Sequence, residues 1–164
     1  SSMQKIKVTW KKTDFVNLDY ISRGGYGTAP FAQYSQEVYK KIINNDVYQL
    51  PNPMPTFVNK VLENFHYQIK LPAIHKTPPG NILPLHRDQY IIFMEKNNIK
   101  DIDSIHRFIV FLEDSKPGHF MQIENQFYSD WQAGDYVGWQ GQNLHAAYNL
   151  GCEDRYTLQI TCIK

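Results

Sequence analysis

Apolar and polar residues alternate along most of the chain from residue 66 onward. The alternating segments are short and are separated by Pro-Gly, Gly-Asp and Asn-Leu-Gly breaks, a pattern typical of β-strands. It predicts eight strands: His66–His75, Ile82–Asp88, Arg107–Glu113, His119–Glu124, Gln126–Trp131, Asp135–Gln140, Leu144–Asn149 and Arg155–Ile163. Strands at this density indicate a sandwich or barrel, and eight is the number of a jelly roll.

The first 65 residues have a different pattern. Lys5–Lys11 alternates and predicts an opening strand, whereas the glycine-rich Tyr20–Pro30 predicts a flexible loop. Phe31–Asn44 carries apolar residues at helical spacing, and Thr56 is placed to cap a second helix that ends near Phe65. Both helices are expected to cover one sheet.

The prediction is therefore a mainly β, cupin-like protein with a double-stranded β-helix (jelly-roll) core. Residues 1–164 form a single domain, in which 66–164 are the core and 1–65 supply the opening strand, the loop and the covering helices. A length of 164 residues is that of one ordinary domain.

Composition and charge exclude several classes of protein. Hydrophobic residues make up 42% of the chain and aromatic residues 14%, which excludes a disordered chain. The net charge of +1 predicts neither a nucleic-acid partner nor a membrane partner. The longest apolar runs, Tyr90–Met94 and Phe108–Leu112, are too short to span a bilayer. The first thirty residues lack the apolar core of a secretory signal, so the expected location is cytoplasmic.

The two cysteines predict free thiols. Cys152 and Cys162 lie at the two ends of the last predicted strand. At about 3.3 Å per residue, an extended strand holds them well beyond the reach of a disulfide. Free thiols are typical of a reducing compartment.

The first candidate metal-binding residues lie in His86-Arg87-Asp88, at the end of the second predicted strand. Residues i and i+2 of a strand share a face, so His86 and Asp88 can converge on one ion while Arg87 points away. A second imidazole, that of His145 at the head of the seventh strand, would complete the two-His-one-carboxylate set that binds non-haem Fe(II). The alternative is a surface His-x-Asp near an unrelated histidine.

The last predicted strand has two different faces. One face is polar throughout (Arg155, Thr157, Gln159 and Thr161), and the other is apolar (Tyr156, Leu158, Ile160 and Cys162). An arginine held near an iron can pair with the far carboxylate of a dicarboxylate cosubstrate, and a hydroxyl two residues on can add a hydrogen bond. The polar face is thus expected to line a cavity. The alternatives are a surface ion pair of Arg155 with Glu153 or Asp154, and a threonine without a function.

This combination resembles the 2-oxoglutarate and Fe(II)-dependent oxygenases, over about residues 66–164. Within that family it is most similar to the aspartyl/asparaginyl β-hydroxylase group, because of Pro78-Pro79-Gly80-Asn81 ahead of His86-Arg87-Asp88 and the Gly-Asp…His…Asn…Arg run that follows. The resemblance implies a dioxygenase that uses Fe(II), 2-oxoglutarate and O2, with ascorbate as an optional reductant. It also implies hydroxylation with succinate and CO2 as coproducts.

The resemblance also implies roles for individual residues. His86, Asp88 and His145 would ligate iron, and Arg155 and Thr157 would hold the distal carboxylate of 2-oxoglutarate. Arg107, the nearest match to an arginine at the start of the third strand, would contact the cosubstrate as well. Candidate substrate contacts are Tyr90, Arg23, Tyr26 and Trp139.

The expected prime substrate is an amino-acid side chain in a protein or peptide. The alternative is a free amino acid or another small metabolite, and the alternative from a different class is a non-redox, cupin-like binding module. The remaining histidines are interpreted as sheet or turn residues, and two of the tryptophans as core residues: His66, His75, His106 and His119, with Trp131 and Trp139.

Overall fold

The computed structural model describes residues 3–25 and 46–164. The strands in these ranges are β1 Gln4–Lys5, β2 Ile21–Gly25, β3 Asp46–Gln49, β4 Ile69–Thr77, β5 Ile82–His86, β6 Ile105–Phe111, β7 His119–Ile123, β8 Gln126–Tyr128, β9 Asp135–Gln140, β10 His145–Asn149 and β11 Arg155–Ile163. The helices are α1 Phe57–Leu62 and α2 Ile91–Lys96, with 3-10 turns at Lys12–Asp14 and Ile102–Ser104. None of the helices in this part of the chain has the length and apolar character needed to cross a membrane.

The strands form two antiparallel sheets whose order is that of a jelly roll. The larger sheet has the order β1-β9-β6-β11-β4-β3-β2, and the smaller has the order β5-β10-β7-β8. Strands β4 to β11 therefore contribute four strands to each sheet, which is the arrangement of a double-stranded β-helix. Because β11 pairs with both β4 and β6, its residues lie at the middle of the larger sheet.

The two faces of β11 have different surroundings. Leu158, Ile160 and Cys162 belong to a core cluster that also contains Val58 and Val61 of α1. The opposite face, which begins with Arg155 and Thr157, borders a cavity. The predicted division into an apolar, covered face and a polar, cavity-lining face is confirmed.

A second core cluster lies on the inner side of the larger sheet. Phe111 of β6 stacks on Trp131 with ring centroids 4.0 Å apart, and Met121 of β7 packs with them. This cluster forms an apolar base beside the cavity-lining face of β11. The interpretation of Trp131 as a core residue is confirmed.

The N-terminal part differs from its prediction. The predicted opening strand Lys5–Lys11 is shorter in the structure. It pairs with β9 at Gln4–Lys5, and the backbone N–H of Ile6 donates to the carbonyl oxygen of Gly134; beyond Ile6 this segment has no strand partner in the described residues. Part of the predicted loop is instead β2, which pairs with the unpredicted β3. These short strands extend the larger sheet beyond β4, so tertiary pairing explains them better than local sequence does. The predicted helix Phe31–Asn44 and Tyr26 lie outside the described residues.

The two short helices and the two cysteines can also be compared with the sequence prediction. The residues after the His-x-Asp motif form the short helix α2, and Thr56 precedes α1 without a capping hydrogen bond from its side chain. Both cysteines are free; Cys152 is exposed and Cys162 is buried.

Candidate metal centre and adjoining cavity

His86 and His145 are brought together by the pairing of β5 with β10. They are direct register partners, and their ring centroids lie 4.2 Å apart. Both side chains are buried. The Nδ1 atom of His86 lies 2.7 Å from the carbonyl oxygen of Pro84, and that of His145 lies 3.0 Å from the carbonyl oxygen of Asn143. In the tautomer in which Nδ1 donates its proton to that carbonyl oxygen, each Nε2 carries the electron pair that can bind a metal ion.

Asp88 follows β5 and faces both imidazoles. Its Oδ1 lies 3.3 Å from Nε2 of His86, and its Oδ2 lies 3.2 Å from Nε2 of His145. The candidate ligand atoms of the three residues all lie within 4.8 Å of one another. Two imidazole nitrogens and one carboxylate oxygen, converging from two strand ends, can hold a single metal ion.

The protonation states at this cluster suit a metal ion. Burial by itself raises the pKa of Asp88, but the charge of His145, hydrogen bonds from His145 and His86, and the Arg107 guanidinium together lower that pKa well below its usual range. Burial lowers the pKa of His145, against the opposing effect of Asp88. An ionised carboxylate beside a neutral imidazole is the form in which both groups ligate.

The three candidate ligands border a cavity of about 200 Å³ between the two sheets. Arg155, the first residue of β11, lines the same cavity and is buried. Its guanidinium lies 5.4 Å from the ring centroid of Trp131, and its Nη2 contacts the sulfur of Met121 at 3.7 Å. Thus the second core cluster holds this cation from one side.

Arg155 has no carboxylate partner within the described ranges, and its Nε makes no hydrogen bond there. Burial lowers its pKa to about 10, so the guanidinium remains charged at neutral pH. A buried cation without a counter-ion is costly, and an anionic ligand in the cavity would offset that cost. The alternative of a surface ion pair with Glu153 or Asp154 is wrong.

His75 is a cavity residue that sequence analysis missed. It lies on β4 directly opposite Thr157 of β11, and both side chains line the cavity. Burial lowers the pKa of His75 to about 3, with further lowering from Arg107, Arg23 and Arg155. The neutral imidazole can therefore act as a hydrogen-bonding group beside Arg155. The alternation of β4 shows which of its residues share a face with His75. Which face points into the cavity depends on the pairing of β4 with β11, and this pairing is not visible in the sequence of β4.

Arg107 lines the cavity, and in the structure it contacts the candidate ligand Asp88 and two other residues. Its Nη1 lies 2.9 Å from Oδ2 of Asp88, and its Nε donates a 2.9 Å hydrogen bond to Oγ1 of Thr161. Its guanidinium also lies 4.7 Å from the ring centroid of Tyr90. The predicted contact with a cosubstrate stays a prediction, whereas the pairing with Asp88 was not foreseen.

The proposed substrate contacts are distributed around the cavity. Arg23 of β2 and Trp139 of β9 line it, and Trp139 also stacks on His145 with centroids 4.1 Å apart. Tyr90 is buried beside Asp88, to which its hydroxyl donates a 3.3 Å hydrogen bond. Their roles toward a substrate stay predictions.

No protein-family model matches the sequence, and no curated protein matches it. Solved structures that match include a predicted oxalate decarboxylase from Thermotoga maritima, at 16% identity over 73% of this chain and 82% of that chain, with a TM-score of 0.46. The Schizosaccharomyces pombe Cnp3 cupin domain matches at 8% identity over 72% of this chain and 61% of that chain, with a TM-score of 0.45. A protein with a double-stranded β-helix domain from Klebsiella pneumoniae matches at 13% identity over 57% and 67%, with a TM-score of 0.41.

These similarities are to proteins described as cupin or double-stranded β-helix domains and, in one case, as a predicted decarboxylase. They are too distant to assign an activity. The jelly-roll assignment of this chain rests on its own strand order.

Proposed function

We propose that this chain is a non-haem Fe(II) and 2-oxoglutarate-dependent dioxygenase that hydroxylates an amino-acid side chain in a protein or peptide. The observation that supports it most is a shared cavity. The candidate ligands His86, Asp88 and His145 and the unpaired cation of Arg155 line the same cavity. A cosubstrate with a chelating end and a distal carboxylate would satisfy both.

The residues present fit both groups. Two imidazoles and one carboxylate would leave positions open on an Fe(II) ion, which this donor set favours. The orphaned guanidinium of Arg155 calls for a carboxylate, since a fork of N–H donors matches a carboxylate in bidentate geometry. When bound, Fe(II) and 2-oxoglutarate would supply the oxidative chemistry with O2 as the oxidant: one oxygen atom would go to succinate as CO2 is lost, and the other would become the hydroxyl group at the substrate C–H bond.

The chain's own residues bind and orient the cosubstrate. Arg155 pairs with the distal carboxylate, and the hydroxyl of Thr157 donates a hydrogen bond to it from the same face of β11. His75, opposite Thr157, adds a neutral hydrogen-bonding group. The cation–π contact with Trp131, at 5.4 Å from the ring centroid, would help to hold the guanidinium of Arg155 at the cavity wall.

The apolar part of the lining excludes water from the reacting end. Leu83 and Ala147 come from the smaller sheet, and Ile109 comes from the larger. An apolar lining lowers the local dielectric constant, and this strengthens the electrostatic contacts of the bound cosubstrate. Trp139, stacked on His145, keeps that imidazole in one orientation.

The prime substrate is inferred from sequence resemblance. The β-hydroxylase-like motif favours amino-acid residues, with a free amino acid as the alternative substrate. Succinate release should be measured with peptide pools and with single amino acids at matched concentration. Stimulation by peptides alone would support the proposal, and stimulation by a single amino acid alone would replace a peptide substrate with a free one.

The cofactor assignment is tested by anaerobic titration. Addition of 2-oxoglutarate to the Fe(II)-loaded protein should produce a weak visible charge-transfer band, which Asp88→Ala should abolish. Succinate lacks the keto oxygen and serves as the control ligand. Bound metal without a band would overturn the dioxygenase and favour a non-redox, cupin-like binding module.

A further inference from the structure

The backbone at Asp88 lies outside the strand ladder. Strand β5 ends at His86, and Tyr90, two residues beyond Asp88, adopts a left-handed conformation with φ of 54°. Strand pairing therefore orients His86 and His145, but it does not orient Asp88. Side-chain contacts have to orient this carboxylate.

Arg107 supplies the strongest of these contacts. The 2.9 Å ion pair with Oδ2 of Asp88 is largely shielded from solvent, since the Arg107 and Asp88 side chains are 18% and 13% exposed. A second nitrogen of the Arg107 guanidinium is also held in place, because Nε donates a hydrogen bond to Oγ1 of Thr161 on the neighbouring strand β11. A guanidinium fixed at two points can set the position of the group that it binds.

Tyr90 makes a second contact with Oδ2 of Asp88, the oxygen that pairs with Arg107. Its hydroxyl donates to Oδ2 of Asp88, and its ring lies under the Arg107 guanidinium. Besides its contact with Nε2 of His145, the oxygen Oδ2 thus has Arg107 and Tyr90 as hydrogen-bond donors. The other oxygen, Oδ1, is contacted by neither Arg107 nor Tyr90 and faces Nε2 of His86, another candidate ligand atom.

We propose that Arg107, supported by Tyr90 and Thr161, is a positioning residue that fixes Asp88 so that one carboxylate oxygen binds the metal ion. This inference rests on the proposed function, because it requires a metal at the cluster. It assigns Arg107 to the carboxylate ligand instead of the cosubstrate. Outer contacts of this kind typically change metal affinity by about 10- to 100-fold.

The test measures the affinity of the protein for a metal ion and does not require catalytic turnover. Mn(II) serves as the probe, and the unbound ion is counted from its electron paramagnetic resonance signal. Arg107→Met should raise the Kd for Mn(II) by about 10- to 100-fold, and Arg107→Lys should recover part of that loss. Thr161→Val and Tyr90→Phe should each give a smaller loss, since each removes one support and leaves the ion pair.

Arg87 offers a matched control. It lies beside Asp88 in sequence, but its guanidinium donates to the carbonyl oxygen of Gln142 on the outside of the cluster. Arg87→Met should leave the Kd for Mn(II) near that of the wild type. An equal loss in the Arg87 and Arg107 variants would indicate a general effect of charge and overturn the proposal.

A second titration separates positioning from cosubstrate binding. With Mn(II) saturating, the Kd for 2-oxoglutarate should rise much less in Arg107→Lys than in Arg155→Lys. The reverse result, with Mn(II) affinity unchanged, would assign Arg107 to the cosubstrate and overturn the proposal. Circular dichroism of each variant checks the fold, and the conservative lysine and phenylalanine variants replace Arg107→Met if it unfolds.

The two proposals fail in different ways. If the wild type binds no Mn(II), Fe(II) or Co(II), the proposed function fails and this inference fails with it. If the wild type binds Mn(II) and the Arg107 variants bind equally well, only the positioning role is overturned.

Discussion

His86 and His145 lie directly opposite each other in the β5–β10 pair, with their ring centroids 4.2 Å apart. One lies at the end of a strand and the other at the start of its antiparallel partner. This register brings residues that are far apart in sequence to the same rim of the smaller sheet. It also leaves Asp88, just beyond the strand end, facing both rings.

Removal of a candidate ligand should strongly weaken metal binding while the chain stays folded. His145→Ala and Asp88→Ala should each weaken Mn(II) binding by more than about 100-fold, since loss of a ligand exceeds loss of an outer contact. His106, which borders a groove away from the cavity, provides the control His106→Ala. Near-normal Mn(II) affinity in both His86→Ala and His145→Ala would contradict the metal centre.

Arg155 should determine affinity for the cosubstrate. Arg155→Ala should raise the KM for 2-oxoglutarate by about 10- to 150-fold, because a charge-assisted pair contributes roughly 1.5–3 kcal/mol. The KM for iron should change little. Lys76→Ala is the control, since the Lys76 ammonium lies against the rings of Tyr20 and Tyr48 instead of in the cavity. An unchanged KM for 2-oxoglutarate in Arg155→Ala would assign the distal carboxylate to another cation.

His75 should make the fold sensitive to acid. Its pKa is lowered by burial from 6.5 to about 3, so between these values the unfolded chain binds a proton that the folded chain does not. Its contribution to stability is therefore complete above pH 6.5 and is lost as the pH falls toward 3. The slope is at most about 1.4 kcal/mol per pH unit.

Urea denaturation of the wild type and of His75→Gln over this pH range measures the contribution. The free energy of unfolding should fall more steeply with acid in the wild type than in the variant, because glutamine does not titrate. Equal slopes would mean that His75 is hydrated enough to be protonated in the folded state.

A close backbone contact should limit substitution at Gly118, just before β7. This residue has φ of +88°, and a Cβ there would lie 2.3 Å from the backbone nitrogen of Gly151. Gly118→Ala should lower the free energy of unfolding by more than about 2 kcal/mol, since it adds a collision with backbone to an unfavourable φ. The exposed Gly80, with φ of 82°, gives a control in which only the conformational cost of about 1–2 kcal/mol applies. Equal losses in the two variants would show that the contact relaxes at no cost.

Sequence alone predicted the strand core closely. Strands β9 and β11 coincide with the predicted Asp135–Gln140 and Arg155–Ile163. A period of two is a local property, and it also identified the two faces of β11. The His-x-Asp spacing predicted convergence because residues two apart on a strand share a face. Asp88 does face His86, but β5 ends at His86, so the contacts of the Asp88 side chain and not the strand produce this arrangement.

Tertiary structure decided how the charged and titratable groups of the cavity are paired. Arg107 contacts Asp88 and Thr161, and His75 faces Thr157, because β11 lies between β4 and β6 in the larger sheet. Alternation tells which residues of a strand share a face, but strand order decides which strands are neighbours. Strand order results from long-range pairing, so the contacts of Arg107 and His75 could not be obtained from local pattern alone.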